Sequence, residues 1–264
     1  MILLKNFTKY FHKGSVNEVL ALDKISLEVQ QGDFITIIGS NGAGKSTLLN
    51  GLAGTFFPDT GTLMLGNTDM TYWPEHRRAG FIGRVFQDPL LGTCASLSIE
   101  QNMALAARRG HTRGLGIGVR SGDRELFRGE LRKLGLGLED RFRIRVGLLS
   151  GGQRQALTML MATLVRPEVL LLDEHTAALD PKTAQQILEI TQQLVEQQKL
   201  TTLMVTHNMN QALKLGNRLV MLHRGEIILD VRGREKQHLK VEDLLGRFYE
   251  VQGEAFSSDR MLLA

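Results

Sequence analysis

The sequence predicts an α/β fold whose core is interrupted by a helical insertion. Three observations carry this: apolar runs of strand length bounded by turns before residue 87, a shift to a helical reading between 88 and about 165, and a return to alternating strands and helices after it. The chain has 264 residues, 42% apolar and 23% charged, enough to bury a core without covalent staples. At a prior of about 150 residues per domain, this is one large domain or two small ones.

Each element follows from its local pattern. Ile25, Leu27 and Val29 alternate with Ser26, Glu28 and Gln30, which predicts a half-buried strand. After a turn at Gln31-Gly32-Asp33, the run Phe34-Ile-Thr-Ile-Ile38 is apolar on both faces, as in a strand inside a sheet. Residues 39–44 are glycine-rich, and a helix begins at Ser46-Thr47-Leu48-Leu49. Residues 61–66 read as a short edge strand and 81–86 as another strand. Helices are expected at 98–108, 123–134 and 151–164, with a glycine-rich loop of no clear period at 110–119. A buried strand follows at 169–172, a helix at 182–198, a strand at 200–206 and a helix at 208–215. Residues 218–223 and 226–231 flank Arg224-Gly225 as a hairpin, and 242–248 forms a short terminal helix. The tail, 251–264, is polar with little pattern and is expected to be loose.

Composition excludes several classes. A single cysteine, Cys94, rules out an intramolecular disulfide and a cysteine-built metal site, and fits a reducing compartment. The longest charge-free stretch, 200–213, has 14 residues and includes His207 and two asparagines, short of the roughly 20 apolar residues a membrane span needs. The start, Met1-Ile-Leu-Leu followed by Lys5-Asn6 and Lys9, does not read as a signal peptide. The net charge of +4 allows an anionic ligand or a membrane surface without demanding nucleic acid. Residues 108–147 hold 11 Lys/Arg against 5 Asp/Glu, which fits a solvated helical face or a patch facing a partner or lipid headgroups.

The chemistry begins at Gly39-Ser40-Asn41-Gly42-Ala43-Gly44-Lys45-Ser46, a match to G-x-x-x-x-G-K-[ST]. A buried strand precedes it and a helix follows it, as the motif requires. Glycines let the backbone wrap an anion and aim successive N–H groups at phosphate oxygens, and the helix adds its positive end. Lys45 reaches the β- and γ-phosphates of a nucleotide, Ser46 offers a hydroxyl to Mg²⁺, and Thr47 completes the set of nucleotide contacts. Such a loop needs an acid on a neighbouring strand for the metal. Val169-Leu-Leu-Leu-Asp173-Glu174 supplies it, with Asp173 toward Mg²⁺ and Glu174 placed to polarise an attacking water.

Leu149-Ser150-Gly151-Gly152-Gln153, just before a helix and about 20 residues ahead of Asp173-Glu174, resembles the signature motif of ATP-binding cassette (ABC) ATPases. The resemblance covers residues 2 to about 250 and implies a single domain: a P-loop NTPase core, an antiparallel β subdomain and a helical insertion at about 88–165. It implies ATP and Mg²⁺ as ligands. It also implies a head-to-tail dimer, because Ser150, Gly151, Gly152 and Gln153 would meet the nucleotide held by the other copy. Gln87 resembles the Q-loop residue, a metal or water contact. Ala178-Leu179-Asp180 resembles the D-loop, and His207 resembles the switch histidine at the γ-phosphate. Asp180-Pro181 equally reads as the cap of the following helix. Family members stack adenine on an aromatic residue upstream of the P-loop. Tyr10 and Phe11 both qualify, and alignment of Phe7-Thr-Lys9 with the family's opening strand favours Phe11. One departure is His175, where the family has proline after the glutamate. It reads as a loop variant rather than a second base.

A lone cassette without a span or sustained heptads resembles a transporter subunit served by a separate integral-membrane permease, and no nucleic-acid partner is expected. A soluble cassette regulating an assembly or acting on nucleic acid is the other reading. Residues 173–183, 225–231 and 241–245 are similar to a bacterial group of tryptophan/tyrosine-type amino-acid uptake ATPases. This implies an importer with a separate substrate-binding protein, the chain lying peripherally on the cytoplasmic face of the membrane. The segment 92–147, downstream of Gln87, is expected to carry the permease contact.

Overall fold

The computed structural model describes residues 1–111, 118–119 and 121–252. Most of the expected loop at 110–119, and the tail beyond Gln252, lie outside the described residues. In chain order the elements are β1 (Ile2–Phe11), β2 (Val19–Val29), β3 (Phe34–Gly39), α1 (Lys45–Ala53), β4 (Thr60–Leu65), β5 (Thr68–Asp69), α2 (Glu75–Arg78), β6 (Ile82–Val85), α3 (Ile99–Ala107), α4 (Ser121–Arg132), a 3₁₀ turn (Val146–Leu148), α5 (Gly151–Leu164), β7 (Val169–Asp173), α6 (Pro181–Gln198), β8 (Thr201–Val205), α7 (Met209–Lys214), β9 (Arg218–His223), β10 (Glu226–Arg232), α8 (Gly233–His238) and α9 (Val241–Gln252). They fall into two compact units, residues 1–75 with 201–264, and residues 76–200.

The first unit holds an antiparallel sheet in the order β2-β1-β4-β5. β1 and β2 pair from Ile2↔Val29 to Phe11↔Val19 through several register shifts. Ile2, Leu4 and Phe7 of β1 and Ile25, Leu27 and Val29 of β2 are buried. β4 is not an edge: it pairs with β1 on one side and with the two-residue β5 on the other. In the same unit β3 lies between β8 and β9, parallel to both, and β10 returns antiparallel to β9. Arg224 and Gly225 both have positive φ (47° and 82°), the backbone a tight hairpin turn needs. Ile38, Met209, Ala212, Leu219, Met221, Val231, Leu244 and Phe248 form a continuous core in which α7 and α9 cover strand residues. Val251 and Gln252, expected in the tail, belong to α9.

The second unit pairs β6 with β7 in parallel, from Ile82↔Val169 to Val85↔Leu172. Three of its helices open on side-chain caps. Ser98 and Ser150 form capping boxes with Gln101 and Gln153 at the starts of α3 and α5. Asp180 caps α6 with Pro181 in the first turn, and Lys199 closes it in a left-handed conformation. Phe127 of α4 packs near Phe142, ring centroids 6.5 Å apart, and both are buried.

Candidate functional site

In the first unit, β3 runs straight into the glycine loop. Gly39, Gly42 and Gly44 have φ of 156°, 77° and 100°, and at Gly44 the loop has no room for a side chain. A Cβ there would lie 2.6 Å from the Ala21 carbonyl oxygen and 3.0 Å from Leu22 Cδ2. The hairpin turn holds the loop from the other side, since Gly225 N–H donates to Ala43 O (3.1 Å) and Asp23 N–H donates to Gly225 O (2.9 Å). Lys45 is buried, and its Nζ donates to Gly39 O (2.8 Å) and Ser40 O (3.0 Å), closing the loop over its own start. α1 opens on Gly44 with no side-chain cap and no acid in its first turn. α3, α5, α6 and α7, by contrast, are capped by the side chains of Ser98, Ser150, Asp180 and Asn208. A helix start without a side-chain oxygen or a carboxylate suits an external anion. Asn41, Gly42 and Ser46 are exposed there, while Ser40 and Thr47 are half-buried.

His207 leaves the end of β8, where Thr206 N–H donates to Ile37 O of β3 (3.1 Å). The P-loop and His207 therefore emerge from neighbouring parallel strands at the same end of the sheet, where ligands bind in open α/β folds. Phe11 and Tyr10 lie opposite Val19 and Leu20 of β2, close to Ala21, whose carbonyl faces Gly44. Phe11 meets Phe56 edge-on (5.5 Å, 82°), and Lys13 Nζ sits 5.1 Å from the Tyr10 ring centroid. Tyr10 N–H donates to Asp59 (2.8 Å), the main cause of that carboxyl's lowered pKa.

The second unit gathers the remaining candidates. β7 ends at Asp173, and Arg84 of β6 places a guanidinium nitrogen 3.8 Å from its carboxylate while lying over the Phe86 ring, 4.4 Å to the centroid. Nothing in the sequence pattern singled out Arg84. The signal is its position on the strand beside β7. Gln87, exposed, follows that strand, whose end is held by Gln155 Nε2 donating to Phe86 O (3.4 Å). Glu174 takes φ of +45°, a left-handed conformation uncommon outside glycine, and its carbonyl accepts from Ala177 N–H (2.9 Å). His175 is buried and bonded through Nε2 to Thr191 Oγ1 of α6 (3.1 Å). Burial pushes its pKa down to about 4, so the ring is neutral near pH 7 and carries no charge to the site.

Ser150 accepts from Gln153 N–H (3.2 Å) as the cap of α5. Gly151 approaches Leu179, and Gly152 is pressed against Thr183 so closely that a Cβ would overlap its methyl group. The signature and D-loop candidates therefore share one packing site. Asp180 accepts from Thr183 N–H (3.1 Å), and its hydrogen bonds with Thr183 are the leading cause of its lowered pKa. Arg154 donates to the carbonyls of Val146, Gly147 and Leu149, fixing the turn that leads into Ser150. Among the described residues no group of three His, Cys, Asp or Glu gathers as a metal cage. Mg²⁺ that arrives with a nucleotide needs no such cage, since it keeps several waters and takes phosphate oxygens. No helix among the described residues is long and apolar enough to cross a membrane.

The chain has relatives among known proteins. The ABC transporter family pattern matches residues 22–177. A tyrosine transport ATP-binding protein of Clostridioides difficile (strain R20291) is 44% identical over 94% of this chain and 98% of its own length. A phosphonates import ATP-binding protein of Haloquadratum walsbyi is 34% identical over 92% of this chain and 76% of its own. Among solved structures, the ATP-binding cassette MJ0796 in a dimer bound to ADP and Pi aligns with a TM-score of 0.75 at 30% identity, over 88% of this chain and 98% of that one. Since both the family pattern and a relative of nearly equal length run through the phosphate loop and the acidic strand end, the chain belongs to the ABC transporter family as an ATP-hydrolysing subunit.

Proposed function

We propose that the chain powers a bacterial amino-acid importer of the tyrosine type, as a cassette spanning residues 1–250 with its helical insertion at 88–165. The observation that carries this reading is the 44% identity, end to end, with a tyrosine transport ATP-binding protein. The cassette lies peripherally on the cytoplasmic face of the membrane, bound to a separate permease that a substrate-binding protein supplies.

Phe11 stacks on adenine, and the backbone from Gly39 to Thr47 wraps the phosphates with Lys45 as the fixed positive charge. Mg²⁺, when bound, neutralises phosphate charge and orients the β- and γ-phosphates. Ser46 and Asp173 would hold it, with Gln87 as a metal or water contact. ATP joins two copies head to tail, so that Ser150, Gly151, Gly152 and Gln153 of one close on the γ-phosphate held by the other, with Asp180 at the shared surface. Glu174 accepts a proton from water as its oxygen attacks the γ-phosphorus and the bond to ADP breaks. His207 donates to the γ-phosphate oxygens and positions them. Hydrolysis releases the dimer, and Gln87 passes that change to the segment 92–147 at the permease.

Co-purification in mild detergent tests the reading. A polytopic membrane protein should accompany the chain, and tyrosine with its binding protein should stimulate ATP hydrolysis by the reconstituted complex. Recovery with ribosomes or DNA, and without a membrane partner, contradicts it.

A further inference from the structure

Three facts converge on the residue after Glu174. His175 is only 2% exposed although it sits in a surface loop between β7 and α6. Its Nε2 lies 3.1 Å from Thr191 Oγ1, and Thr191 in turn donates that hydroxyl to Ile187 O at 2.8 Å. The hydroxyl proton is thus committed to the helix, so Thr191 accepts, and the imidazole carries its proton on Nε2. Glu174, the adjacent residue, is held at φ of +45°, a conformation that costs about 1–2 kcal/mol per non-glycine residue and persists only where the surroundings enforce it.

We propose that His175 is a positioning residue for Glu174. Its bond to Thr191 pins the chain at residue 175 to the second and third turns of α6, and so holds Glu174 in the left-handed conformation that aims its carboxylate. A buried donor whose acceptor lies 16 positions away ties the loop at residue 175 directly to α6, in addition to the Ala177 N–H bond to Glu174 O within the loop. The ring takes no part in proton transfer. This rests on the reading of Glu174 as the base.

The test compares His175→Leu, Thr191→Val, their combination and His175→Gln in the full chain, with kcat, KM for ATP and melting temperature measured for each. Leucine fills the space without a donor. Glutamine carries Nε2 at the same reach and can restore the bond. His175→Leu and Thr191→Val are each expected to lower kcat about tenfold or more with KM for ATP unchanged, because misplacement of a reacting group costs turnover rather than binding. The double variant should be no worse than either single one, and His175→Gln should recover most of the loss. Unchanged kcat in either single variant, additive losses, failure of glutamine to rescue, or losses that simply follow melting temperature would overturn the proposal. Glu174→Gln assayed alongside separates the two claims: retained hydrolysis there removes the base assignment itself, whereas its loss together with wild-type turnover in His175→Leu removes only the positioning role.

Discussion

Replacing Gly44 by alanine tests whether the phosphate loop is shaped by contact with β2. Two costs add at this position. A left-handed backbone disfavours an L-residue by about 1–2 kcal/mol. The new methyl would meet the Ala21 carbonyl oxygen at 2.6 Å and Leu22 Cδ2 at 3.0 Å, which forces backbone to move, an overpacking cost of about 1–3 kcal/mol. Gly42 is the internal control, because its φ is also positive (77°) but a Cβ there meets nothing within 4 Å. Both alanine variants carry the backbone cost, and only Gly44→Ala carries the collision. Thermal melting of the two variants should therefore differ by about 1–3 kcal/mol, or roughly 2–10 °C for a chain of this size. Gly44→Ala should also bind ATP more weakly, since relief of the clash displaces the amides that face phosphate. Equal melting temperatures and equal ATP affinities would refute the contact as the determinant of loop shape.

Other expectations follow from the same geometry. Lys45→Ala should nearly abolish ATP binding measured by calorimetry, since charge-assisted contacts contribute about 1.5–3 kcal/mol each; wild-type affinity would exclude the loop as the phosphate site. Arg218 is buried, grips Asp230 through two nitrogens (2.6 and 2.5 Å) and donates to Glu28 O (2.6 Å), so Arg218→Ala should destabilise the fold by about 3 kcal/mol in urea unfolding. Lys236 is buried on α8, donating to the carbonyls of Leu215 and Gly216, and burial lowers its pKa from 10.5 to about 8. Between those two values the unfolded chain holds more protons than the folded one, so this group makes stability rise with pH across that window and changes nothing below it. The stability difference between wild type and Lys236→Met, followed by urea unfolding from about pH 7 to 10, should show that slope; a flat difference would exclude it.

What the sequence disclosed was local chemistry. The glycine loop, the acidic strand end, the Ser150 and Asp180 caps and the Arg224-Gly225 turn each depend on residues adjacent in the chain, and each is found where its motif lies. The readings that changed depend on distant partners. Residues 61–66 look like an edge strand because nothing nearby reveals that β1 and the two-residue β5 flank that strand. The first half of β2 was not legible, since Val19 and Leu20 are exposed and break the alternation that marks 25–29. The six-residue α8 shows no apolar period, because the residue it buries is Lys236. His175 reads as a loop variant rather than a base, and its bond to Thr191 on the third turn of α6 becomes visible only in the fold. Likewise Arg84 acquires its partner, Asp173, only when β6 and β7 pair.

Light scattering and ATP turnover of Glu174→Gln with Mg-ATP bear most directly on how the subunit works. Glutamine keeps the side chain's shape but cannot take a proton, and a positioned base contributes about 10²–10⁴-fold in rate. Nucleotide should bind normally, turnover should fall by that factor, and the protein should accumulate as an ATP-bound dimer. Adding Ser150→Arg, which places bulk and charge at the start of α5, should return it to monomer. Hydrolysis at the wild-type rate in Glu174→Gln would contradict the mechanism at its central step.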